Sequence, residues 1–95
     1  MTNKKRGDKM TIEMICNNKG VIVRHKTKWY LFSYGTPIMS WDYRTNKLWR
    51  HFKNSELVSN TTSRHIHEFL DQIPKYFEYK NIKQFVMNLN YKEVA

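Results

Sequence analysis

From Met10 onward, apolar and polar positions alternate with the period of two expected of β-strands, and after residue 60 the period becomes helical. Residues 11–16 read as a first strand, and Asn17, Asn18, Lys19 and Gly20 supply a turn that tolerates positive φ. The β-branched run 21–25 is a second strand, 29–34 a third, 38–43 a fourth and 48–52 a fifth. Gly35 breaks or bulges the chain, and Pro37 is confined to a strand start or an edge. In the helical region Ile66, Phe69, Leu70 and Ile73 stand at i, i+3, i+4 and i+7. The hydroxyls of Thr61, Thr62 and Ser63 precede them as N-cap candidates, and Pro74 ends the run. A second stripe, Ile82, Phe85, Val86 and Leu89, predicts another helix over about residues 80–90. Residues 75–79 fit either state.

These elements predict an α+β fold: a small, mostly antiparallel sheet of four to five strands with one or two C-terminal helices on one face. Residues 10–95 form a single domain in this reading, and 1–9 (MTNKKRGDK) a flexible basic tail. Alternation puts Tyr30, Phe32 and Tyr34 on one side of the third strand and Trp29, Leu31 and Ser33 on the other. In the fifth, Leu48, Arg50 and Phe52 oppose Lys47, Trp49 and His51. Both faces carry apolar groups, yet the helices can cover only one. Rings at alternate strand positions are more often core than stacking platform, so Tyr30, Phe32 and Ile38 are assigned to the core. Trp29, Trp41 and Trp49, with basic or polar sequence neighbours, are the candidates for an exposed face.

Charge sharpens this picture. The net charge of +9 on 95 residues is concentrated between residues 19 and 53, where Lys19, Arg24, Lys26, Lys28, Arg44, Lys47, Arg50 and Lys53 face one acid, Asp42. The same segment holds all three tryptophans. Cations interleaved with flat rings suit a polyanion with exposed bases. The expected partner is therefore nucleic acid, RNA or a single strand ahead of duplex. The residues expected to contact it are Lys28, Trp29, Arg44, Lys47, Trp49 and Arg50. A membrane partner is disfavoured, because the basic excess lies on strand sequence and the helical regions are near neutral. With one cysteine, Cys16, and no apolar run near the roughly 20 residues of a membrane span, the chain reads as cytoplasmic.

Site chemistry is sparse. Arg64 at the start of a helix, beside Thr62 and Ser63, is a candidate anion seat, with simple capping as the alternative. His65 and His67 are two apart, so on a helix they diverge by about 200° and cannot chelate one ion. Cys16, His25 and His51 lack metal-ligand spacing, so no metal or other cofactor is expected. A small ribonuclease would need His25 or His51 as base with His65 and Arg64 on the phosphate. No phosphate-binding loop, dinucleotide glycine pattern or nucleophile elbow is present, and a non-enzymatic protein is the expectation.

Ser33-Tyr34-Gly35-Thr36-Pro37-Ile38 and residues 59–69 (SNTTSRHIHEF) resemble a family of short, uncharacterised proteins from phages of low-GC Gram-positive bacteria. Its strand signature S-Y-x-T is met by Tyr34 and Thr36. Its T-T-x-x-H-I-x-x-F-L signature is met by Thr61, Thr62, His65, Ile66, Phe69 and Leu70. The resemblance spans residues 28–72 and implies a genomic setting rather than a reaction. Small phage proteins often block host machinery, so the expected role is a nucleic-acid-binding accessory protein that inhibits a CRISPR-type defence ribonucleoprotein. The alternative is a protein–protein inhibitor that occludes an acidic or nucleic-acid-binding groove of a host enzyme without nucleic acid.

Overall fold

The computed structural model describes residues 10–53, 58–75 and 77–94. The basic tail expected at residues 1–9 lies outside them, as does Tyr76 within the ambiguous stretch. Strands β1 (Met10–Ile15), β2 (Gly20–His25), β3 (Lys28–Ser33), β4 (Thr36–Asp42) and β5 (Lys47–Arg50) pair in sequence order as an antiparallel meander. Helices α1 (Asn60–Gln72) and α2 (Ile82–Met87) follow, and a short β6 (Asn90–Tyr91) joins β5 in parallel. The fold is thus α+β, as the pattern predicts, with one strand more than expected.

That strand replaces the end of the expected second helix. Asn81 caps α2 by accepting a hydrogen bond from the Gln84 amide, and asparagines at 88 and 90 favour a helix end over continuation. β5 then captures the chain: Arg50 Nε donates to the Leu89 carbonyl at 3.0 Å, and the Lys92 amide donates to the Arg50 carbonyl at 2.9 Å.

Turn chemistry sets the hairpins. Tyr34 and Gly35 link β3 to β4 with φ of 53° and 80°, the two positive values a type I′ turn requires. A register shift follows between Leu31 and Phe32, opposite Met39 and Pro37, with Ile38 as the extra residue. Pro37, which has no N–H to donate, sits at this irregularity. Between β4 and β5, Asp42 Oδ1 accepts the amides of Arg44 and Thr45, and Asn46 adopts φ 57° while its side chain accepts the Trp41 indole N–H at 2.9 Å.

Helix α1 covers one face of this sheet. That face presents Ile15, Gly20, Ile22, Leu31, Ser33, Met39, Trp41 and Leu48, all buried, and Ile66, Phe69 and Leu70 of α1 pack on it. Burying each such aliphatic or aromatic side chain contributes about 1.5–3 kcal/mol. The helix sits close because residue 20 is glycine: a Cβ there would stand 2.8 Å from Ile15 Cγ1 and 3.1 Å from His65 Cγ. At the far edge Arg24 binds Glu13 at 2.8 Å and also donates to Gln72, which clamps β1 and β2 to the end of α1.

Candidate nucleic-acid interface

Among the described residues, no helix lies on the opposite face of the sheet. Cross-strand register aligns a row Ile12, Val23, Tyr30, Ser40, Trp49 across five strands. One step along the strands lies the row Met10, His25, Lys28, Asp42, Lys47. An apolar and aromatic row thus runs beside a row carrying two lysines around one carboxylate. In the first row, Ser40 is the small member between two large rings. Tyr30 and Trp49 rise from strands about 10 Å apart, two inter-strand spacings, and the buried Ser40 between them carries the His51 ring on its hydroxyl. The result is an open hollow of about 670 Å³, lined among others by Tyr30, Phe32, Trp49, His51, Lys28 and Lys47.

The wall beyond β5 is the segment that follows β6. His51 Nδ1–H donates to the Lys92 carbonyl at 2.5 Å, and His51 Nε2 lies 2.8 Å from Ser40 Oγ. The carbonyl can only accept, so the neutral ring carries its proton on Nδ1 and takes the Ser40 hydroxyl at Nε2. Burial lowers the His51 pKa, and the nearby Lys92 ammonium pushes the same way against the bond to the Lys92 carbonyl. Lys92 Nζ stands 5.3 Å and Lys47 Nζ 6.0 Å from the centre of the Trp49 ring. Asp42 and Glu93 also line the hollow and offset part of the lysine charge, with Asp42 Oδ1 engaged by two turn amides.

On the covered face, the two sequence signatures meet each other. Ser33 Oγ lies 2.8 Å from His65 Nδ1 and 3.3 Å from Thr62 Oγ1, and Ser59 Oγ donates to Thr62 Oγ1 at 3.2 Å. The chain of donors runs Ser59, Thr62, Ser33, His65, and the ring of Tyr34 lies 5.8 Å from that of His65. His65 is fully buried, its Nε2 meets no hydrogen-bond partner among the described residues, and burial, reinforced by the Arg64 charge, lowers its pKa. These polar groups join β3 to α1 and have no open access for a substrate.

Residues 3–86 match the model of DUF8033, a family of unknown function. The chain belongs to the DUF8033 family. No curated protein and no solved structure matches it.

The structure of this DUF8033 chain divides the residues expected to bind between the two faces. Lys28, Lys47 and Trp49 come together on the helix-free face. Trp29 lies on the covered face, edge-on to Trp41 at 5.4 Å and under the Arg24 guanidinium at 4.5 Å. Arg50 points the same way, donating to the carbonyls of Leu89 and Phe52. Arg44 is exposed in the β4–β5 turn. Trp41, expected among the exposed rings, is 2% exposed. Conversely, Tyr30 and Phe32, expected in the core, line the hollow and are only half-buried. The helix takes the face with Gly20, Ser33 and the aliphatic residues because only that face offers room for close approach and partners for Thr62 and His65.

The anion seat does not assemble as expected. Ser59, not Thr62 or Ser63, caps α1, accepting from the Thr62 amide at 3.1 Å. Thr62 is buried toward Ser33, while Arg64 is exposed. On the outer face of α1, Glu68 accepts from Gln72, and His67 Nδ1 lies 2.7 Å from the Tyr79 hydroxyl. His51 and His65 lie on opposite faces of the sheet, so the imidazoles a ribonuclease would combine are separated by β-structure. No group of three or more metal-ligating side chains occurs among the described residues. No helix among them is long and apolar enough to cross a membrane. Strand alternation is visible in the sequence, whereas the wall at residues 92–94 and its contact with His51 depend on β6, which no local pattern marks.

Proposed function

We propose that this DUF8033 protein is a phage-encoded accessory protein that binds single-stranded nucleic acid, RNA foremost, on the helix-free face of its sheet. The observation that carries the reading is the open hollow lined by the rings of Tyr30, Phe32 and Trp49, where Lys28, Lys47 and Lys92 outnumber the acids Asp42 and Glu93. The rings that line the hollow offer flat apolar surfaces on which an unpaired base can stack. Base–ring stacking contributes about 1–3 kcal/mol per base and reads no sequence, while the lysines meet the phosphates. A duplex hides its base faces, so unpaired strands fit this surface better.

The resemblance over residues 28–72 supports a phage setting, in which the protein would act against a CRISPR-type defence ribonucleoprotein by engaging its nucleic acid. The test is fluorescence anisotropy with labelled single-stranded RNA, single-stranded DNA and duplex DNA of equal length. Binding to single strands that falls at least tenfold in Tyr30→Ala supports the proposal. Equal affinity for duplex, or indifference to Tyr30→Ala, would sink it. Stable capture of a host protein that resists nuclease would favour direct occlusion instead.

A further inference from the structure

The helix-free face continues beyond the hollow onto β1, where its chemistry changes. Met10, Ile12 and Met14 point to this side and are 52%, 60% and 57% exposed, beside Val21 and Val23 of β2. β1 is the last strand of the sheet, and among the described residues nothing pairs with its outer edge. Sheet edges are ordinarily guarded by lysine, proline, a bulge or an inward charge. β1 has no lysine, proline or bulge, and the one inward charge it carries is neutralised by Arg24 within its own fold. Its sequence, MTIEMI, contains no lysine, arginine or proline, and its register with β2 is unbroken over six pairs. Its one charge, Glu13, faces the helix side, where Arg24 and Gln72 satisfy it. In a chain of charge +9, this is the strand on which two copies can meet without opposing lysines.

We infer that two copies of this protein associate through β1, antiparallel and centred on Ile12, to form one continuous sheet. That register sets Ile12 against Ile12 of the partner subunit and Met10 against Met14 of the partner subunit. It also sets Thr11 against Glu13 of the partner subunit. Centring on Glu13 would instead oppose two carboxylates, which is unfavourable. The pairing satisfies the free edge amides and carbonyls and sets three large apolar side chains of each copy side by side across the seam. A two-fold axis normal to the sheet leaves both hollows on the same side. If the binding reading above holds, the dimer presents two base-stacking sites to one strand, and the dimer itself does not depend on that reading.

The experiment is sedimentation velocity on the full chain after nuclease digestion, over micromolar to several hundred micromolar protein. The expected result is a concentration-dependent dimer that Ile12→Lys weakens at least tenfold with unchanged circular dichroism. Ile12 is exposed, so the substitution leaves the core intact, and a cross-link provides an independent readout. In a Cys16→Ser background, Ile12→Cys should form an intermolecular disulfide under mild oxidation. Directly opposed residues have Cα atoms about 4.5–5.5 Å apart, within disulfide reach. A monomer at every concentration would overturn the inference, as would a dimer indifferent to Ile12→Lys that fails to cross-link through Ile12→Cys.

Discussion

Ser33 Oγ and His65 Nδ1 stand 2.8 Å apart where Ser33 keeps 3% of its surface and His65 none, so a polar bond joins β3 to α1 inside the core. Its position ties the segment 33–38 to the segment 59–69. One supplies the hairpin that ends at Ser33, and the other supplies the helix turn that carries Thr62 and His65. Such a bond contributes modestly when formed, but leaving a buried partner unsatisfied costs more.

Ser33→Ala removes the acceptor of Thr62 and the partner of His65 Nδ1 together. The expected loss is about 1–3 kcal/mol. For a domain of this size each kcal/mol lowers Tm by about 4–8 °C. Urea and thermal denaturation give the measurement, and a variant as stable as the parent would show that the network is not structural. Nucleic-acid affinity of the folded variant should not change, because Ser33 faces away from the hollow.

The same burial makes stability depend on pH. Desolvation holds His65 below its ordinary value near 6.5, with Arg64 adding repulsion, and desolvation also lowers His51. Both rings are neutral in the fold, whereas the unfolded chain protonates them near pH 6.5. The unfolded state therefore binds more protons just below that pH. Stability is fully present above about 6.5 and is lost as pH falls through the folded values. Glu13, lowered by its bonds from Arg24 and Gln72, adds a second loss below its ordinary value of 4.5. Urea midpoints between pH 8 and 4 should fall on acidification, and the first step should shrink in His51→Gln. A flat profile from pH 7 to 5 would contradict the buried neutral state.

Gly20 offers a purely steric test. With Ile15 Cγ1 2.8 Å and His65 Cγ 3.1 Å from the position of a Cβ, Gly20→Val must displace β1 or α1. Overpacking of this kind costs about 1–3 kcal/mol. Differential scanning calorimetry on this variant should show a lower Tm, and an unchanged one would mean that the helix does not approach the strand so closely.

Strand alternation made the two faces of the sheet legible in advance: Leu31 with Trp29 on one side, Tyr30 with Phe32 on the other. It could not say which face the helix takes. That choice depends on contacts between residues far apart in sequence, Gly20 and Ser33 with Thr62 and His65, and local periodicity carries no record of them. Size misled as well. Trp29 and Trp41 suggested platforms by their basic and polar neighbours, yet those neighbours alternate to the other face, and Arg24 lies over Trp29 on the covered side. Ser40 was uninformative in sequence, because the side chains around it, Tyr30, Trp49 and His51, come from other segments of the chain. The sixth strand was hidden by a stripe at Ile82, Phe85, Val86 and Leu89 that continues past the point where the helix stops.

The two faces give a discriminating pair of tryptophan variants. Trp49→Ala removes one wall of the hollow and should lower single-strand affinity by about 1–3 kcal/mol, roughly 5- to 150-fold, with little change in stability. Trp29→Ala should do the reverse, because Trp29 packs on Trp41 and Arg24 away from the hollow. Salt titrations separate the cations in the same way. Replacing Lys28 or Lys47 by alanine should reduce the slope of log affinity against log salt by about 0.7 for each phosphate of a single strand that is no longer neutralised. Arg50→Ala should leave the slope unchanged and lower Tm, because its guanidinium holds the carbonyls of Leu89 and Phe52. Anisotropy titrations at four salt concentrations, paired with thermal melts, test all of these variants. A Trp29→Ala protein that melts normally but binds weakly would move the binding surface to the other side of the sheet.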